Sequence, residues 1–153
     1  VERAPYHYTE CGLDDIYLVS GYDADLTDDG EFVRVKNGDG LLTAIGLYLV
    51  TEKKQFSGRE LRYLRRAMEY TQAELGTLLR VTDQTVARWE KEEVEMAGPA
   101  DFLVRLLYLE HLGLDRKVRD LTAELRERDE SSSSMQVFKA TGTGWKRQMA
   151  ACG

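Results

Sequence analysis

The stretch YTQAELGTLLRVTDQTVARWEK, residues 70–91, decides how the middle of this chain folds. Thr71 followed by Glu74 is a capping box. The hydroxyl accepts an orphan amide of the first helical turn, and the carboxylate reaches back to the amide of the cap residue itself. Thr82 repeats the capping role ahead of Asp83 and Gln84. Only about two turns of helix and a bend fit between the two caps. The spacing therefore predicts short helices at about 72–79 and 83–90, with the second held steeply against the first.

Outward from this pair, Ser57-Gly58-Arg59-Glu60 is another capping box and opens GRELRYLRRAMEY. Leu61, Leu64 and Met68 form its inward stripe, which leaves Arg59, Arg62, Arg65 and Arg66 facing outward. Gly98-Pro99 starts a fourth helix, ADFLVRLLYLEHL, with proline at a favourable first position, and Gly113 ends it. Leu114, Val118, Leu121 and Leu125 follow in a fifth helix to about Arg128, a stripe suited equally to core or to a dimer seam. Four serines at 131–134 mark a break. The tail from Met135, with little pattern, is expected to be mobile or ordered by a partner.

Upstream, IYLVSGY (16–22) and EFVRVK (31–36) flank the turn signal TDDG and read as a hairpin-like pair. LLTAIGLYLV, from Leu41, is apolar around most of its surface and should form a helix buried against those strands. The domains expected are a small α+β module over 1–52, a helical domain over 53–112, a C-terminal helix over 113–130 and a flexible tail over 131–153. The fold class expected is mainly α.

The totals bound the function. A chain of 153 residues with 42% hydrophobic and 31% charged side chains suits one or two small water-facing domains, read as cytoplasmic. No apolar run reaches the ~20 residues of a membrane span, and no signal-peptide pattern opens the chain. Starting on Val1 rather than methionine, it reads as beginning at a processed boundary. Cys11 and Cys152 read as free thiols in a reducing compartment. Net charge is −6 but unevenly placed: −8 over residues 1–52, +4 over 53–91, −5 over 92–130 and +3 beyond. The one strongly basic segment before the tail contains the capped helix pair, and a local patch matters more for phosphate contact than the chain average.

Thr71-Gln72-Ala73-Glu74-Leu75, then Val81-Thr82, then Gln84-Thr85-Val86-Ala87-Arg88-Trp89-Glu90 match a fixed multi-position pattern. The segment from about Ser57 to Leu112 resembles the Cro/phage-repressor-like (XRE-type) helix-turn-helix domain, a five-helix fold of the lambda-repressor kind. The flanks HYTECGLDDIYLVSGY and GLLTAIGLYLV resemble regulators that place a small module before this domain, among them antitoxins of the MqsA type. The resemblance implies a sequence-specific DNA-binding regulator, a repressor that dimerises on double-stranded DNA and places helix 83–90 in the major groove. The alternative it implies is an antitoxin-like protein whose acidic N-terminal module binds a toxin and which represses its own operon.

Apolar Leu75, Leu78, Leu79, Val81, Val86 and Trp89 are expected to pack the pair, leaving Asp83, Gln84, Ala87 and Arg88 outside. By resemblance that outer side meets base edges. Gln84 suits adenine and Arg88 suits guanine. Gln72 heads a helix whose amides would face a phosphate, and Thr71, Thr82 and Thr85 offer hydroxyls to the backbone. Two residues depart from the family. Arg80 stands where the turn usually holds glycine, and could add a phosphate contact. Asp83 could repel phosphate, accept from a cytosine amino group, or improve the cap.

No cofactor, metal or catalytic group is expected. His7, Cys11, His111 and Cys152 lack the close pairs that a zinc site uses, and MqsA-type modules carry such pairs where this chain has a lone Cys11. DADLTDDGE lacks the terminal glutamate of a calcium loop. No phosphate loop or nucleophile elbow is present.

Overall fold

A computed structural model of the protein describes residues 4–127 and 135–148. These residues form six helices and two small sheets, an α+β arrangement instead of the mainly α class expected. The chain divides into two compact units, residues 1–45 with 132–153, and residues 46–131.

The first unit carries both sheets. Strands β1 (Tyr6–His7), β2 (Ile16–Leu18), β5 (Gln136–Thr141) and β6 (Gly144–Gln148) form one sheet in the order β1-β2-β5-β6. The β2–β5 pairing is parallel, with Ile16 opposite Gln136 and Leu18 opposite Phe138, and the outer pairings are antiparallel. The tail expected to be mobile is thus part of a sheet from Gln136 to Gln148, while the serine run 131–134 lies outside the described residues. The physical reason is burial. Val137 and Phe138 join Leu13, Ile16 and Leu18 in the core. The Trp145 indole donates to the Asn37 carbonyl at 3.0 Å. Its ring lies so close to Gly21 that a Cβ there would come within 2.5 Å of it.

A second, two-stranded ribbon joins β3 (Tyr22–Thr27) to β4 (Gly30–Val35) around an Asp28-Asp29 turn. The hairpin expected here exists, but its first strand is YDADLT and not IYLVSGY. Ile16 and Leu18 are buried and take partners from β1 and from a strand far along the chain, so they are spent on the other sheet.

Helix α1 (Gly38–Glu52) contains the division between the units. Leu41 and Ile45, in its first part, are fully buried, as are Leu49 and Val50 towards its end. The second unit then holds α2 (Gly58–Ala67), α3 (Gln72–Leu79), α4 (Asp83–Glu90), α5 (Gly98–His111) and α6 (Val118–Glu127). Gly46 of α1 meets Tyr108 of α5, whose hydroxyl would lie 2.0 Å from any Cβ at that position. Burial pushes the Tyr108 phenol up to about 12.

Arg105 is the least expected member of this core, with no exposed surface. Its guanidinium donates to the Leu49 and Val50 carbonyls at 3.2 and 3.1 Å and to Lys54 O at 2.9 Å. Asp101, one turn back on α5, takes its Nε at 2.6 Å. The Phe56 ring stacks 4.2 Å below. A cation here satisfies carbonyls that the end of α1 leaves unpaired, where the helix dipole is negative.

Of the stripe 114–118–121–125, only Leu121 is core, with no exposed surface, and α6 begins at Val118 and excludes Leu114. Leu114 and Val118 are 45% and 55% exposed.

Arg105→Leu should cost about 3–5 kcal/mol in urea unfolding, because it strands Asp101 and three carbonyls. Arg116→Ala, which removes a pair with Glu124 whose side chains are both more than a third exposed, should stay within about 1 kcal/mol of wild type.

Candidate nucleic-acid interface

The α3–α4 pair is built by local chemistry first. Thr71 Oγ1 accepts from Glu74 N at 3.0 Å, and Glu74 Oε1 accepts from Thr71 N at 3.2 Å. Thr82 Oγ1 accepts from Thr85 N at 3.1 Å and exchanges a 2.9 Å bond with the Thr85 hydroxyl. Arg80 closes α3 at φ 62°, ψ 40°, in the left-handed region, at the position where the resembled family usually holds glycine. Its amide bonds to Thr77 O at 3.3 Å, and Val81 N bonds to Gly76 O at 2.8 Å, a Schellman closure. The turn folds back so tightly that a Cβ on Gly76 would sit 2.8 Å from Val81 O.

Packing then orients α4. Val86 and Trp89 are buried, as are Leu75 and Leu79 of α3, and Leu61 and Leu64 of α2 with Met68 at its cap are core as the stripe predicts. Leu78, expected to be buried, is 41% exposed. It lies one helical step past the buried side that Leu75 and Leu79 define. Val81 is half-buried.

Arg65 does not face outward as the stripe predicts. Its Nε and Nη2 grip the Glu90 carboxylate at 2.7 and 3.0 Å, and its Nη1 donates to Tyr70 O at 2.9 Å. The two side chains are 12% and 6% exposed. Gln72 Nε2 adds a longer bond to Glu90 Oε1 at 3.4 Å, so this side chain turns towards α4. Glu92, next to the end of α4, accepts from Gly58 N at 2.9 Å. These contacts fasten both ends of α2 and the head of α3 to the C-terminal end of α4. Arg65 had a signal in the sequence. Arg65 lies four residues after Leu61 and three before Met68, at the margin of the buried stripe.

The nine candidate residues fall into two sets. Gln84 and Arg88 are exposed one turn apart on α4, and among the described residues neither side chain has a hydrogen-bond or ion-pair partner. Ala87 is half-buried between them and Arg80 is exposed at the turn. Thr71, Thr82 and Thr85 spend their hydroxyls on caps, and Gln72 on Glu90. Asp83 Oδ1 accepts from Gln84 N at 2.9 Å, which gives it a capping role. Arg59, Arg62 and Arg66 of α2 are also exposed.

Elsewhere, the His7 ring nitrogen meets Asp14 O at 2.5 Å and the Cys11 thiol donates to Tyr8 O at 3.6 Å. Burial pushes the Cys11 thiol up. Among the described residues no helix is long and apolar enough to cross a membrane. No family model, characterised protein or solved structure matches the chain.

Glu90→Ala should destabilise the protein by about 3 kcal/mol, since it leaves a largely buried guanidinium without its anion. Arg80→Gly should stabilise it by up to about 1 kcal/mol by relieving the left-handed backbone. Both are read from urea midpoints at constant m-value.

Proposed function

We propose that the protein is a sequence-specific regulator that binds double-stranded DNA as a homodimer and acts as a repressor. The observation that carries this reading is α4 itself. It is a two-turn helix clamped on its inner side by Val86, Trp89 and Glu90, with the adenine-suited Gln84 and the guanine-suited Arg88 exposed and unpaired on its outer side. A side chain with this geometry gains about 1–3 kcal/mol of discrimination per bidentate base contact. Arg80 at the turn and the +4 balance of residues 53–91 supply phosphate contacts. The helix-turn-helix resemblance supports the same conclusion.

Selection from a random duplex pool tests it. An enriched motif is expected, and Arg88→Ala should lose preference for that motif while keeping most non-specific binding. Equal loss on specific and random DNA would make Arg88 a phosphate contact, and no enrichment at all would end the reading. The slope of log K against log salt should be about −4 to −8 for a dimer, each neutralised phosphate contributing about −0.9.

Pairing would use the apolar surface that α5 and α6 leave open. Phe102, Leu103, Leu106 and Leu107 are half-buried, and Leu114 and Val118 are exposed. Leu121 belongs to the protomer core, so it takes no part. Val118→Glu should give a folded monomer with weakened operator binding. A wild-type protein that scatters light as a monomer at about 50 µM, well above a micromolar dissociation constant, would exclude this dimer.

A further inference from the structure

The β3–β4 ribbon carries Leu26, 90% exposed, and Phe32, 55% exposed. A single exposed leucine needs no explanation, but this one belongs to a built surface. The register sets Leu26 opposite Glu31, Ala24 opposite Val33 and Tyr22 opposite Val35, all on one face. That face borders a cleft of about 450 Å³ lined by Pro5, Tyr6, Tyr22, Ala24, Leu26 and Glu31. The cleft wall is held in place. The Tyr6 hydroxyl donates to Glu10 Oε1 at 2.5 Å, and its ring centroid lies 5.3 Å from that of Tyr22. That bond to Glu10, with burial, pushes the Tyr6 phenol up to about 12, so it remains a donor across the physiological range.

The ribbon's charge selects what could cover this surface. Residues 22–35 hold five carboxylates and one arginine, of which Glu31 shares the Leu26 face, Asp28 and Asp29 form the tip, and Asp23, Asp25 and Arg34 lie on the opposite face. Nucleic acid and anionic membrane are repelled, and a second copy would bring the same negative ribbon. The two-stranded sheet has no third strand among the described residues, so each strand keeps one edge open to strand addition.

We propose that the cleft and ribbon form a docking site for an extended, basic segment of another protein. A large apolar side chain of that segment enters between Tyr6, Tyr22 and Leu26, while its lysines or arginines meet Glu31 and the Asp28-Asp29 tip. This surface lies in the first unit and does not depend on the DNA reading.

The test pans the full-length protein against a phage-displayed random peptide library and resynthesises the strongest binder. Enriched sequences should place a large apolar residue within a few positions of lysine or arginine. Leu26→Ser should weaken the resynthesised peptide at least about tenfold, as expected for loss of an anchor, with no change in melting temperature. Asp28→Asn with Asp29→Asn should lower both affinity and its salt dependence. The proposal is overturned by a library that yields no enrichment, by binders without basic residues, or by a Leu26→Ser protein that binds as wild type does. Leu26-dependent binding to phosphatidylcholine–phosphatidylglycerol vesicles would also overturn it, because the ribbon would then serve a lipid surface.

Discussion

Glu90 sits where three helices meet. Its carboxylate receives two bonds from Arg65 on α2 and one from Gln72 at the head of α3, while its own backbone belongs to the last turn of α4. Withdrawing two charges from water costs several kcal/mol per ion, and a buried pair recovers this only with good geometry. Net stability is therefore not the main product. What the pair supplies is orientation, because a bidentate guanidinium–carboxylate contact tolerates little rotation of either helix. Gly58 shows how close the approach is, since a Cβ there would meet Glu90 O at 2.2 Å. In the sequence Arg88-Trp89-Glu90, successive residues of one helical turn take three different jobs: an exposed cation, a core ring and the buried clasp.

The helix ends show a related compromise. Helices α2, α3, α4 and α5 all close with the same pair of backbone bonds, ending at Glu69, Arg80, Glu92 and Gly113 in left-handed conformation. Only the last is glycine. Each of the others carries a backbone cost of about 1 kcal/mol or more, which closure bonds and core burial must offset. In two of the three places the side chain has a visible use. Glu92 accepts the Gly58 amide, and Arg80 puts a cation at the rim of the α3–α4 pair. Nothing in the structure explains Glu69 in the same way.

Charge is unevenly placed within each unit as it is along the chain. The cations of α2 and α4, with Arg80, help give residues 53–91 their +4 balance inside the second unit, and the carboxylates of the β3–β4 ribbon lie in the first. A local patch can address a partner of opposite sign whatever the chain's total, because salt screens exposed charges more than about 8–10 Å away. Such local patches are why an overall charge of −6 does not by itself decide the sign of a partner.

What the sequence alone determined is local. Ser57, Thr71 and Thr82 announce three helix starts because a cap and its amide lie within four residues of each other. Leu61, Leu64 and Met68 announce a buried face because 3.6-residue periodicity is written in consecutive positions. The exposed placement of Gln84 and Arg88 follows from the same periodicity. What only the tertiary structure decided is every pairing across long separation. Parallel pairing of Ile16–Leu18 with residues 136–138, the Trp145 contact on Gly21, the Arg105 cap on α1 and the Arg65–Glu90 clasp join residues 25 or more positions apart. No local preference encodes such pairs. A strand in search of a partner, or an arginine at the margin of a stripe, satisfies the same local rules with many partners, and only burial of the whole core selects one.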